Sequence, residues 1–322
     1  MRRIRKIAIE EHFNALGFEQ YSQAFAQHIA PESLSALREA LSDFGELRLR
    51  TMDAAGIDYV ILSQSGPSVQ AEPNQQLAIS KAKKNNDYLA QKIAMHPTRF
   101  GGFATLPMHC QQSARQELER CVKELGLQGA LINGHTFGCY YDGREYDEFW
   151  ATVQELAVPV YLHPIDSYDQ PHAYRGHPEI AGATWGWGVE TATHALRLLF
   201  SGVFDRFPEL KIILGHMGEG LPFQRWRFDS RFAVYPHGVR LKHLPSYYLG
   251  KNILITTSGV CSVPTLLGAV GEMGAESVLF SVDYPYESTS VAADFIERAP
   301  LSEEVRALVC HGNAERIFKL HK

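Results

Sequence analysis

Glu10 and His12 stand two residues apart near the start of the chain, in Ile7-Ala8-Ile9-Glu10-Glu11-His12-Phe13. Along an extended strand, side chains at i and i+2 share a face. A carboxylate and an imidazole would therefore stand side by side, with Glu11 turned the other way. Such a pair is half a site for a divalent cation of borderline softness. His163 closes a second β-like run, Val158-Pro159-Val160-Tyr161-Leu162-His163, and Asp283 follows a third, Leu279-Phe280-Ser281-Val282. Together Glu10, His12, His163 and Asp283 make a mixed nitrogen–oxygen shell suited to one zinc or manganese ion. Each signal is weak alone. A single histidine at a strand end is more often a hydrogen-bonded structural residue, and an aspartate before an aromatic and a proline is most often a turn or cap. The reading rests on four compatible groups carried by three strands to one end of the fold.

His216 and Glu219 lie three apart in Leu214-Gly215-His216-Met217-Gly218-Glu219. If a helical turn starts there, both fall on one face and the carboxylate holds the imidazole. The pair then serves as a proton-handling dyad or as further ligands. Eleven residues beyond His216, Arg227 offers the fork that matches a carboxylate, with an ion pair to Asp229 as the alternative. Trp185 and Trp187 precede an amphipathic stretch; they read either as a plug at the mouth of the fold or as a stacking wall for an aromatic ligand.

Positioning these groups requires strands that end at a common rim. Eight β-branched runs recur: Ile7–Glu11, Tyr59–Ser63, Phe100–Ala104, Gly129–Asn133, Pro159–His163, Lys211–Gly215, Asn252–Thr257 and Val278–Ser281. Amphipathic helical patterns such as Gln75–Met95 and Gln111–Leu125 lie between them. This alternation predicts a (β/α)₈ TIM barrel spanning 1–322 as a single domain. A doubly wound sheet would carry a glycine-rich turn after its first strand, and no glycine occurs before Gly17. The connections 13–50, 164–190 and 232–250 are long βα loops at the C-terminal face, where barrels keep their sites. Phe13, Phe18, Tyr21 and Phe25 in the first offer an apolar cover.

A composition of 45% apolar and 21% charged residues excludes wholesale disorder, and a net charge of −5 argues against nucleic acid as a partner. No apolar stretch reaches the roughly 18 residues of a membrane span. Arg2, Arg3, Arg5 and Lys6 run at once into an acidic strand, which reads as a solvated lead-in rather than a signal peptide. Five scattered cysteines without a CxxC pair point to reduced thiols and a cytoplasmic location.

The segments quoted above, with Glu190–Pro208, Lys211–Phe223, Leu279–Ser288 and Gly312–Leu320, make the chain resemble nearly end to end the amidohydrolase-superfamily decarboxylases related to γ-resorcylate (2,6-dihydroxybenzoate) and 2,3-dihydroxybenzoate decarboxylase. Its first metal motif is E-x-H, as opposed to the H-x-H of typical hydrolase members and of the aminocarboxymuconate semialdehyde decarboxylase branch. The resemblance implies one divalent ion, zinc or manganese, on Glu10, His12, His163 and Asp283, and no organic cofactor. It implies an active-site pair of His216 and Glu219, and substrate contacts at Arg227 and at Tyr286, where the family often has phenylalanine. It further implies a homodimer or homotetramer acting on a small aromatic carboxylate. The expected reaction is non-oxidative decarboxylation of an ortho-hydroxybenzoate of the 2,6-dihydroxy, 2,3-dihydroxy or salicylate type, with Asp283 delivering the proton and His216 as the substitute donor. Single-metal hydrolysis of a small lactone or amide is the competing activity for such a barrel.

Overall fold

The computed structural model describes residues 4–22 and 29–320; Arg2, Arg3 and Phe25 lie outside them. Among the described residues, nine parallel strands form two hydrogen-bonded sheets. The first sheet contains β1 (Ile7–Phe13), β2 (Tyr59–Gln64) and β3 (Phe100–Gly102). The second runs in order through β4 (Ala104–Thr105), β5 (Ala130–Asn133), β6 (Val160–His163), β7 (Ile212–Leu214), β8 (Ile253–Thr256) and β9 (Val278–Leu279). β3 and β4 are halves of one extended run broken at Phe103, whose amide still donates to Leu62 O at 2.8 Å. At the opposite seam the His12 amide donates to Tyr284 O at 2.7 Å and the Asp283 amide to Glu10 O at 3.0 Å. These bonds join the last strand to the first and bring Glu10, His12 and Asp283 to one place.

The strands read as near-continuous apolar runs because both of their faces are covered. Inward-pointing Ile7, Ile9, Ile61, Phe103, Leu131, Tyr161, Ile213, Leu254 and Leu279 fill the interior, closed from below by Ala314 and Phe318. Their neighbours Ala8, Val60, Leu62, Val160 and Leu162 face the surrounding helices. Nine helices of ten residues or more are described: α1 (Pro31–Ser42), α2 (Glu46–Ala55), α3 (Gln75–Met95), α4 (Gln111–Lys123), α5 (Asp147–Leu156), α6 (Gly186–Phe200), α7 (Arg225–Val234), α8 (Val263–Met273) and α9 (Thr289–Arg298). The starts of α3 and α9 are capped by Asn74 and Ser288, whose side chains accept amides of the first turn.

One departure from regular pairing matters for the site. Ala8 pairs with Val60 and Glu11 with Leu62, so two residues of β1, Ile9 and Glu10, oppose the single Ile61. This β-bulge resets the alternation: Ile7 and Ile9 point inward, and so do Glu10 and His12. Both bulged amides, those of Ile9 and Glu10, donate to the Ser281 hydroxyl. Uninterrupted alternation from Ile7 would have put Glu11 in the mouth instead. Glu11 faces outward, accepts the Val282 amide at 3.0 Å and is buried. Burial pushes its carboxyl pKa well up, against the pull of that amide and of Arg48.

The expectation of a solvated lead-in fails at Lys6, which is fully buried. Its ammonium reaches Ala55 O at 3.2 Å and forms an ion pair with Glu297, because β1 enters the barrel between α2 and α9. The first long connection folds largely into α1 and α2. Phe13 and Phe18 are buried in the core, Phe13 against Phe44, while Tyr21 lines the cavity at the mouth.

Candidate active site

Glu10, His12, His163 and Asp283 converge at the C-terminal mouth, each offering one ligand atom, all within 4.8 Å of one another. Two ligands on opposite sides of an ion at about 2.0–2.3 Å stand just over 4 Å apart, so this spread suits a single cation. The remaining polar atoms of each side chain are already engaged. His12 Nδ1 lies 3.0 Å from Ser63 Oγ. His163 Nδ1 lies 2.9 Å from Pro164 O, which can only accept; the proton therefore sits on Nδ1 and the Nε2 lone pair is free. Glu10 Oε2 accepts from Tyr161 and Ser258. Three buried atoms, Glu10 Oε1, His12 Nε2 and Asp283 Oδ1, are left without a hydrogen-bond partner. His12 Nε2 and Asp283 Oδ1 approach to 3.1 Å, and His163 Nε2 and Glu10 Oε1 to 3.6 Å. Buried polar atoms are rarely orphaned, and four lone-pair donors aimed at one point fit a divalent ion.

His216 and Glu219 do pair, Nδ1 to Oε1 at 2.7 Å, but not on the right-handed turn that the i, i+3 spacing suggests. His216, Met217, Gly218, Glu219 and Gly220 all have positive φ, between 49° and 79°. The segment is one turn of left-handed helix, a conformation that costs roughly 1–2 kcal/mol for each residue with a Cβ. Strain of this kind concentrates where a side chain must be aimed. Asp283 also has positive φ, 78°.

The turn sends His216 Nε2 to 3.6 Å from Asp283 Oδ2. Burial works against a charge on His216, but Glu219 and Glu10 outweigh it and hold the imidazole pKa well above its usual value. Burial likewise opposes a charge on Asp283, yet His12 and His216 keep its carboxyl below the usual range. Burial, and then neighbouring His12, lowers the pKa of His163 to about 3, which keeps it neutral and able to ligate.

Above the four candidate ligands opens a cavity of about 1140 Å³. Trp185, Trp187, Phe228 and Tyr286 supply aromatic walls, so the tryptophan pair lines the cavity and does not plug it. Trp187 is braced by a 2.6 Å bond from Nε1 to Asp166. The Tyr286 ring stands 5.6 Å from that of His12, and its hydroxyl bonds to Ser65. No lysine or arginine lines the cavity among the described residues. Arg227 is exposed on α7, outside that lining, and Asp229 is engaged by Ser246 instead. Sequence reasoning missed Tyr161, Ser258, Ser63, Ser65 and Ser281. Their hydroxyls look like ordinary strand-end residues until the groups they touch in and around the site are placed, although Tyr161 lies two positions before His163 and therefore on its face.

A barrel with four candidate ligands at its mouth is the architecture of the amidohydrolase type of protein, and residues 25–320 match the amidohydrolase family; the chain belongs to it. Among its relatives is the γ-resorcylate decarboxylase of Polaromonas sp. JS666, 44% identical over 98% of this chain and 99% of that one. A crystal structure of a 2,6-dihydroxybenzoate decarboxylase complexed with 2,6-dihydroxybenzoate superposes with a TM-score of 0.93 at 42% identity, covering 98% of this chain and 100% of that one. A dihydroxybenzoic acid decarboxylase from Polaromonas sp. JS666, with bound manganese and the inhibitor 2-nitroresorcinol, gives 0.93 at 44% identity over 99% and 98% of the two chains.

Proposed function

We propose that this carboxy-lyase removes CO₂ from an ortho-hydroxybenzoate, with 2,6-dihydroxybenzoate as the leading substrate and a single divalent ion on Glu10, His12, His163 and Asp283. The observation that carries the reading is the convergence of three partnerless buried atoms with His163 Nε2 beneath an aromatic-walled cavity. The donor set, two imidazoles and two carboxylates, suits manganese or zinc, and manganese is the first choice because the shell is half oxygen. When bound, the ion supplies Lewis-acid charge for the phenolate and carboxylate oxygens of the substrate.

Direct cleavage of the bond to CO₂ would leave an aryl anion that the ring cannot delocalise. Protonation at the carboxylate-bearing carbon comes first. Asp283 rests ionised between His12 and His216, takes a proton from His216 as substrate enters, and delivers it to that carbon, while electron density from the ortho oxygen flows into the ring and leaves a dearomatised ketone. The bond to CO₂ then breaks, and its electron pair restores the ring; CO₂ and the phenol depart. His216, 3.6 Å from Asp283 Oδ2, reloads the carboxyl, a gap of the size that closes when substrate enters. Glu219 keeps His216 charged, and the ring rests between Tyr286 and the tryptophans. With no lysine or arginine in the lining among the described residues, the charged His216 is the group left to meet the substrate carboxylate, together with the charge the ion would supply. Arg227 and Trp226, both exposed on α7, suit contact with a second copy in a homodimer or homotetramer, which would give this arginine a cavity to reach. Five free cysteines fit a reducing cytoplasm, and no described helix is long and apolar enough to cross a membrane.

The test is a panel of 2,6- and 2,3-dihydroxybenzoate, salicylate and small lactones, assayed for CO₂ release before and after chelation. CO₂ release that disappears with the metal and returns with manganese or zinc is expected; full activity in metal-free protein, or lactone opening without CO₂, would refute the reading.

A further inference from the structure

Glu10 presents its two oxygens to different surroundings. Oε1 is buried and partnerless beside His163 Nε2, 3.6 Å away. Oε2 accepts two hydroxyl protons, from Tyr161 and from Ser258. The hydroxyls are themselves held. The Tyr161 oxygen lies 3.1 Å from Thr256 Oγ1, Thr256 Oγ1 lies 2.9 Å from Ser258 Oγ, and Ser258 Oγ accepts the His216 amide at 3.2 Å. Gly215 leaves the space for this junction. A Cβ there would lie 2.8 Å from Glu10 Oε2 and 3.0 Å from both the Ser258 and the Tyr161 hydroxyl oxygens.

We propose that Tyr161 and Ser258 form a clamp that restricts Glu10 to a one-oxygen ligand of the ion, reserving the space its second oxygen would take for the substrate. The inference rests on the metal site proposed above. A carboxylate free to rotate can bind a cation through both oxygens; a carboxylate whose second oxygen already accepts two charge-assisted hydrogen bonds gives these up only at a cost. The clamp also ties the Glu10 ligand to the backbone of His216, so the ion and the proton-handling pair are positioned through one serine. Tyr161 and Ser258 are positioning residues: they act on the substrate only through Glu10.

The experiment titrates metal-stripped protein with Mn(II) and follows the bound ion by electron paramagnetic resonance. The variants are Tyr161→Phe, Ser258→Ala, Ser258→Thr and Gly215→Ala. Loss of outer hydrogen bonds to a ligand costs about 10- to 100-fold in metal affinity. Tyr161→Phe and Ser258→Ala are expected to bind Mn(II) at least tenfold more weakly, with an altered spectrum as Glu10 turns. Ser258→Thr keeps the hydroxyl and should stay within about threefold of the wild type. Gly215→Ala crowds the same junction without removing a donor and should also weaken binding. Where Tyr161→Phe does not fold, the Ser258→Ala and Ser258→Thr comparison decides. Wild-type affinity and spectrum in folded Ser258→Ala overturn the clamp while leaving the decarboxylase reading intact. A wild-type protein that binds no Mn(II) overturns both.

Discussion

Replacing Glu219 with glutamine removes one charge from the site and little else. The side chain is almost buried, keeps its length, and still offers a carbonyl oxygen to His216 Nδ1, now 2.7 Å from Oε1. The change converts an ion-paired hydrogen bond into one between the imidazolium and a neutral amide. Bonds to charged groups contribute about 1.5–3 kcal/mol. If all of that is felt when His216 must hold its proton, turnover falls by about 10- to 150-fold, at about 1.4 kcal/mol per decade. Glu219 is not among the four converging ligands, so metal content should not change. The pH profile gives a second reading. The pKa of His216 is raised in the native site, so activity that needs its proton is lost as pH climbs through that raised value. With the carboxylate gone the value drops, and the alkaline fall in activity moves to lower pH. Steady-state kinetics from pH 5 to 10 on metal-loaded protein would measure both effects. A variant within threefold of wild type, with its alkaline limb unmoved, refutes the role given to the pair.

Two more outcomes follow from the backbone and the core. Gly220 has φ +79°, and a Cβ added there would meet nothing within 4 Å, so Gly220→Ala tests conformation alone: about 1–2 kcal/mol of strain, reduced by the lower entropy of the unfolded alanine chain. Gly218→Ala adds a Cβ 2.6 Å from Ile255 Cγ2 and should lose about 1–3 kcal/mol more in urea unfolding; the reverse ranking would contradict the close packing of Ile255 on Gly218. His194 is fully buried between Tyr140 and Tyr141 with neither ring nitrogen bonded, and burial lowers its pKa to about 3. The unfolded chain then binds the extra proton, so stability drops as pH falls from about 6.5 toward 3, by about 2 kcal/mol between pH 7 and 5. His194→Phe should flatten that loss by a similar amount in denaturant midpoints at the two pH values, and an unchanged slope would exclude His194 as its source.

The strands were legible because fully covered parallel strands are continuous apolar runs, and the α3 pattern, Gln75–Met95, appears in the fold with the same ends. The pairing of Glu10 with His12 on one face was legible from period two, but the bulge that makes it compatible with inward Ile7 and Ile9 was not. A bulge is set by the partner strand and by Ser281, 271 residues from Glu10 in sequence. The left-handed turn has a local signal, glycines at 218 and 220, yet His216 and Met217 with positive φ contradict ordinary propensity and need tertiary support. Lys6 looked solvated because charge usually is; its burial depends on Glu297 and Ala55, which no local pattern connects to it. The position of Arg227 depends on how α7 leaves the left-handed turn, which the linear spacing from His216 does not encode.

The seam between the first and last strands has a temporal consequence. Two of the proposed ligands reside in residues 10–12 and a third at 283, and the bonds that shape the bulge around Glu10 come from Ser281. During synthesis, the earliest part of the barrel to emerge from the ribosome must wait for nearly the last before either can grip a cation. Loading of the proposed site would thereby be deferred until the ring has shut, since a nascent chain halted before residue 281 lacks Asp283 and the Ser281 hydroxyl that shapes the bulge.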